Sequence, residues 1–254
     1  MEEILIQSTK DNTLQPSLFR RAVSEQKRPL LVGLHSWSFG RTNQKDVLLP
    51  WAEKYNLHLL LPEFRGPNLT DNPDRILACG SEYAMQDIKD AIDWAIREEN
   101  ADPAHVFLYG GSGGGHMALM MAGFCPDCFA AIAAFVPITD LEKWAEENAH
   151  YRPHILACCS EDEAEMAKRS PMSYIDNIAR ANVKIFHGKY DPVVLTPTAP
   201  LYSKPFRRNI PAPGFSWTSL TAAMRQTKPK PCTGSCPSTK RSRKLPLPDK
   251  PSGG

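Results

Sequence analysis

Along the first 194 positions, apolar residues fall into short continuous runs separated by helical stripes. Pro29–His35 (PLLVGLH) and Leu57–Leu61 (LHLLL) are near-continuous apolar runs, the pattern of strands buried on both faces. His105–Tyr109 (HVFLY), Phe129–Val136 and Val183–His187 (VKIFH) repeat that character. Between the second and third runs, Ser81 and Glu82 open a segment whose apolar residues Ala84, Ile88, Ala91, Ile92 and Ala95 share one helical face, with the serine as cap. Strands alternating with helices predict an α/β fold: a mostly parallel sheet with helices on both faces. There is no internal repeat.

Charge divides the chain in two. From Leu195 to Gly254 there are 11 Lys and Arg against the single acid Asp249, together with 11 of the 23 prolines. The first 194 residues hold 19 basic and 27 acidic side chains, so a body of charge −8 precedes a tail of charge +10, and the formal net charge of +2 conceals both. The tail has too few aliphatic residues to offset the entropy of ordering and is expected to stay disordered. The expected organisation is therefore one domain over 1–194, incomplete at its C-terminal end, and a basic, Pro-rich tail over 195–254. The tail's charges are interrupted by prolines and carry almost no stacking aromatics, so no nucleic-acid partner is expected. The longest apolar run, Phe129–Ile138, is too short to span a bilayer, and the start MEEILIQSTK lacks the features of a signal peptide. No membrane partner and a cytoplasmic location are the corresponding expectations.

Seven cysteines in such a chain argue for reduced thiols rather than a disulfide framework. Cys125 and Cys128 form a C-P-D-C, and Cys232 and Cys236 lie in the tail. A four-thiolate zinc site drawn from the two pairs has the wrong spacing for a zinc ribbon and places one pair in a segment with no predicted fold, so neither zinc nor redox chemistry is expected and the pairs are read as incidental loop cysteines.

The most informative segment is Val106–Gly123, VFLYGGSGGGHMALMMAG. An apolar strand runs into Gly110-Gly111-Ser112-Gly113-Gly114, and an apolar helix follows at once: G-x-S-x-G in the strand, turn, helix context that gives the motif meaning. So tight a turn strains the backbone and leaves no room for neighbouring side chains, hence the glycines. It lifts the serine hydroxyl clear of the sheet, while the N–H of Gly113 points to where a tetrahedral oxyanion would form. A phosphate-binding turn would need the G-x-x-x-x-G-K-[ST] lysine or the G-x-G-x-x-G spacing, and neither is present.

With this motif the chain resembles the α/β-hydrolase superfamily, and within it the catalytic domain of the prolyl oligopeptidase (S9) family and its small esterase relatives. Three further blocks carry the resemblance, in family order: LLVGLHSWS (Leu30–Ser38), PEFRG (Pro62–Gly66), and RSPMSYIDNI (Arg169–Ile178) followed by VKIFHGKYDPVV (Val183–Val194). The resemblance implies a serine hydrolase acting on a small ester or peptide substrate, without cofactor or metal. It implies Ser112 as nucleophile, Asp191 as the acid that orients a histidine, Gly113 as one backbone oxyanion donor, and Trp37 or Ser36 as the other. Taken alone, Asp191 before Pro192 also reads as an Asx-turn. His116, one turn beyond Ser112, is expected to pack rather than to act as base. Trp37, Phe39 and the insert Leu141–Met172 are expected to line the pocket.

In this superfamily the triad histidine comes last. The histidines here are His35, His58, His105, His116, His150, His154 and His187, and none follows Asp191. His187 belongs to the strand that delivers the acid. Stepping one nucleotide back after Val194, the codons of Leu195–Ala199 permit PYTHS and those of Ser216–Arg225 permit FLDIFDGGHE, which contains the G-G-H of the family histidine. The sequence after Val194 therefore has the look of an out-of-frame reading, with the last strand and helix lost and activity impaired. A carboxylesterase of the same fold and a non-catalytic hydrolase-like binding protein are the alternatives. The oligomeric state is not legible.

Overall fold

A computed structural model describes residues 1–188 and 191–195. These residues fall within one unit, Met1–Ala212. Apart from Leu195, the expected tail lies outside the described residues.

Among the described residues the sheet has seven strands: β1 (Glu2–Gln7), β2 (Leu14–Arg20), β3 (Arg28–Leu34), β4 (His58–Pro62), β5 (Ala101–Gly111), β6 (Ala131–Phe135) and β7 (Val183–Phe186), in spatial order β1-β2-β4-β3-β5-β6-β7. From β4 to β7 every pairing is parallel, with registers such as Leu31↔Phe107, Leu108↔Ile132 and Ala134↔Ile185. The β1–β2 hairpin joins antiparallel through β2 to β4. The order steps outward in both directions from β3, which places the ends of β3 and β5 side by side at the middle of the sheet.

All of β4 is buried, as are the last five residues of β3. This two-sided burial explains their unbroken apolar character. One face carries Leu30, Val32 and Leu34 of β3 with Val106 and Leu108 of β5, packed in one core with α2 (Glu82–Glu98) and α3 (Gly113–Phe124). On α2 the expected apolar face is the buried one, and Ser81 Oγ accepts the Ala84 N–H at 3.1 Å as its cap. Helix α3 has no polar face: every residue from Gly113 to Gly123 is buried. A helix so placed cannot lie at the surface, and it holds Ser112 against the centre of the sheet. Helix α1 (Lys45–Lys54) packs against β3 and β4 through Leu48 and Ala52.

After β6 the chain forms an insert of three short helices, α4 (Leu141–Glu147), α5 (Arg152–Cys158) and α6 (Glu163–Lys168), before α7 (Ile175–Ile178) leads into β7. The insert builds a second apolar cluster with Trp37, Cys79 and Val194, which includes Leu141, Trp144, Ile155 and Met166. Trp37 and the insert thus pack together as expected. Phe39 does not join them: it is 55% exposed, because the turn at Ser36–Phe39, closed by Phe39 N–H to Ser36 O, directs the chain outward. No described helix is long and apolar enough to cross a membrane.

Candidate active site

Strand β5 ends at Gly111 and α3 begins at Gly113, leaving Ser112 alone at the bend with φ 55° and ψ −119°. Positive φ is uncommon for a residue with a side chain, and here both neighbours fix it. Ser112 N–H donates to Phe135 O of β6 at 2.8 Å, and Ser112 O accepts the His116 N–H at 2.9 Å. Glycine at 113 is a steric requirement: a Cβ there would lie 2.4 Å from the Trp37 backbone nitrogen. The same close approach sets the Gly113 and Trp37 backbones side by side. Ser112 is half-buried, and none of the described hydrogen bonds uses its hydroxyl.

The loop after β3 is built to present Trp37. His35 stacks on Phe64 of the PEFRG turn, ring centroids 3.9 Å apart, and its Nε2 faces Glu63 O at 2.8 Å. Burial lowers the His35 pKa and keeps the ring neutral. Ser36 Oγ donates to Gly111 O at 3.1 Å, tying the loop to the end of β5. Ser36 N–H donates to Asn43 Oδ1 at 2.9 Å and is thereby committed. Trp37 O accepts the Asn68 N–H at 2.8 Å, whereas the N–H groups of Trp37 and Gly113 have no acceptor among the described residues. Of the two loop donors considered, Trp37 is the one left free.

Asp191 lies beyond the end of β7. Its N–H donates to Gly188 O at 3.2 Å, and its Oδ1 accepts the N–H groups of Val193 at 3.0 Å and Val194 at 2.8 Å. The Asx-turn is therefore formed. It uses one carboxylate oxygen and leaves Oδ2 without a partner among the described residues. His187 Nε2 faces Val194 O at 2.7 Å and closes the same loop. Trp144 Nε1–H donates to Val193 O at 3.0 Å, and Val194 is buried in the insert cluster, so the aspartate turn is clamped from the insert side. Ser112, Gly113, Ser36 and Trp37 are thus brought together. Asp191 stands at the same C-terminal edge, on the second strand from β5, with no described hydrogen bond to that group.

His116 points away from this chemistry. It is fully buried, its Nε2 donates to Arg169 O at 2.7 Å, and burial pulls its pKa down to about 4. With the proton on Nε2, its Nδ1 is a buried acceptor with no partner among the described residues. Its role is to join α3 to the insert. Among the described hydrogen bonds, none connects any histidine to Ser112 Oγ. What sequence reasoning missed is the support: the Asn43 and Trp144 side chains and the Asn68 backbone N–H, each of which orients backbone. Only the apolar character of Trp144 offered any signal.

Residues 78–207 match the prolyl oligopeptidase family (Peptidase_S9). The chain belongs to the prolyl oligopeptidase family. Among curated proteins it is similar to the acylamino-acid-releasing enzyme of Homo sapiens, 30% identical over 139 residues that make up 49% of this chain and 19% of that enzyme. It is also similar to the Arabidopsis thaliana enzyme of the same name, 29% identical over 174 residues, 59% of this chain and 22% of the relative. The chain thus spans about a fifth of the length of these family members. Among solved structures, a Mycobacterium tuberculosis puromycin-hydrolyzing peptidase matches with TM-score 0.63 at 19% identity, over 76% of this chain and 31% of that one. Pyrococcus horikoshii acylaminoacyl peptidase matches with TM-score 0.63 at 18% identity, over 76% and 32%. These likenesses show the fold: the S9 chain has the α/β-hydrolase fold.

Proposed function

We propose that this S9-family chain carries the acyl-transfer half of a serine hydrolase site, with Ser112 as nucleophile and the N–H groups of Gly113 and Trp37 as the oxyanion hole. In the reaction this supports, Ser112 Oγ attacks a peptide or ester carbonyl and its proton passes to an imidazole. The carbonyl oxygen takes up negative charge between the two N–H donors. The leaving amine or alcohol departs with the proton, and water then releases the acyl group from Ser112. Asp191, through the Oδ2 that no described residue engages, would orient the imidazole. The relatives that release acylamino acids favour a peptide with an acylated end as substrate over a simple ester. The free thiols of Cys79, Cys125, Cys128, Cys158 and Cys159 suit a reducing, cytoplasmic setting. The observation that carries the reading is the strained Ser112 bend beside two uncommitted backbone donors.

The imidazole is the missing part. No histidine follows Asp191 in the sequence, and losing one triad member typically removes most of the acceleration. The chain as written is therefore expected to be a weak hydrolase or a binder of acyl compounds. An intact frame after Val194 would supply the histidine. We place the boundary between the hydrolase domain and the tail at that point, within the last stretch of the family match, which runs on to residue 207. The nucleotide sequence there either encodes both PYTHS and FLDIFDGGHE in one shifted frame or refutes the idea.

A fluorophosphonate probe tests the site. The frame-restored chain is expected to label at Ser112, with labelling abolished by Ser112→Ala, while the chain as written labels far more slowly. A folded, frame-restored protein that fails to label overturns the nucleophile assignment. Equal labelling of both forms overturns the incomplete triad. Rates on acyl-peptides against short esters then separate peptidase from esterase.

A further inference from the structure

The C-P-D-C at the end of α3 plays no part in the hydrolase site, yet the fold gives it a definite geometry. Cys125 caps α3, and Cys128 N–H donates back to Cys125 O at 3.1 Å, closing a turn with Pro126 and Asp127 at its centre. A four-residue turn of this kind holds its end Cα atoms within about 7 Å, which overlaps the span a disulfide bridges. Both cysteines are partly exposed, whereas Cys79, Cys158 and Cys159 are buried.

The surroundings make the two sulfurs unequal. Lys89 of α2, bound to Asp93 at 2.6 Å, brings its positive charge within electrostatic reach of the pair. The neighbouring Cys125 thiol and the Lys89 charge together pull Cys128 down to about 7, against burial and the carboxylates of Asp93 and Asp127. Asp127 is itself paired with Arg180 at 2.8 Å. The neighbouring Cys128, with burial, pushes Cys125 up. One thiolate available near neutral pH beside one retained thiol is the arrangement of an attacking and a resolving cysteine.

We propose that Cys125 and Cys128 form a thiol–disulfide exchange site for low-molecular-weight disulfides of the glutathione type. The Cys128 thiolate attacks one sulfur of the disulfide, forming a mixed disulfide and expelling the first thiolate. Cys125 then loses its proton to solvent and attacks Cys128 Sγ, expelling the second. The protein dithiol is oxidised by two electrons to the Cys125–Cys128 disulfide, and the small disulfide is reduced to two thiols. Among the described residues no group of three or more potential ligands surrounds the pair, and exchange chemistry needs none.

The test treats the native full chain with oxidised glutathione, blocks the remaining thiols and maps tryptic peptides by mass. The peptide from Glu98 to Lys143 contains Cys125 and Cys128 and no other cysteine. It is expected to lose two hydrogens, about 2 Da, without retaining glutathione, at a rate already high at pH 7, while Cys79 stays reduced as a marker of the folded state. Cys125→Ser is expected to trap one glutathione on Cys128, and Lys89→Met to slow the wild-type reaction several-fold. A native sample whose peptide keeps both thiols, or gains two glutathiones, overturns the proposal. So does a reaction that rises only above pH 8.5.

Discussion

Arg65 Nε donates to Asp87 Oδ2 at 2.6 Å, with both side chains 1% exposed. Asp11 adds contacts at 2.8 and 3.0 Å to the other guanidinium nitrogens. The PEFRG turn that supports His35 is thereby anchored to α2 and to the β1–β2 connection. Removing one partner leaves the other as an uncompensated buried charge. Arg65→Ala is expected to destabilise the fold by about 3–5 kcal/mol, read as a lowered urea midpoint. Arg65→Lys should recover only part of the loss, because an ammonium cannot reproduce the forked contact.

Gly113→Ala tests the oxyanion geometry. The added methyl meets backbone rather than a flexible side chain, so the Trp37 loop must move. The expected cost is about 1–3 kcal/mol of stability, with a much larger fall in probe labelling of the frame-restored protein than that instability accounts for. Melting curves and labelling rates on one sample check it. Labelling retained at the parental rate would show that the Trp37 N–H is not a donor.

Acid should weaken the fold before most carboxylates titrate. Burial holds His116 and His58 at about 4, and His35 is also lowered. An unfolded histidine takes up its proton near 6.5, so between those values the unfolded chain binds more protons than the folded one. The stability these groups contribute is fully present above about pH 6.5 and is lost as pH falls toward 4. Urea midpoints at pH 7, 5.5 and 4.5 should decline, and His116→Gln should flatten that decline. Asp11, held low by the Arg65 hydrogen bond, extends the loss below its ordinary carboxylate range.

Trp144→Phe removes the indole donor to Val193 O while keeping an aromatic ring in the insert cluster. A loss of about 1 kcal/mol is expected. Amide exchange should quicken around Asp191–Val194 and remain unchanged in β3 and β5.

Sequence patterns revealed the elements whose burial is two-sided or strictly periodic. Strands β3 and β4 begin within one residue of the apolar runs, and Ser81 caps α2 as its spacing predicts. The β1–β2 hairpin escaped notice because β1 is an edge strand with Leu5 59% exposed, and β2 carries Pro16. Helix α1 was hidden by Pro50 within it and by a buried face of only Leu48 and Ala52. At the site, the Ser112 turn was legible because sterics demand its glycines. The choice between Ser36 and Trp37 was not, since it depends on Asn43 folding back onto Ser36. Arg65 was visible as part of a turn, but its partners Asp87 and Asp11 lie 22 and 54 residues away, and charge pairing at that range leaves no local mark.

If Ser112 is the nucleophile proposed above, its left-handed backbone sets durability against chemistry at a single position. Glycine would relax that bend and delete the hydroxyl in one substitution. In a copy released from acyl transfer, drift toward glycine would meet no resistance and would even be rewarded with a firmer fold. On the proposed reading, the serine is a burden on the native state that acyl transfer alone would justify.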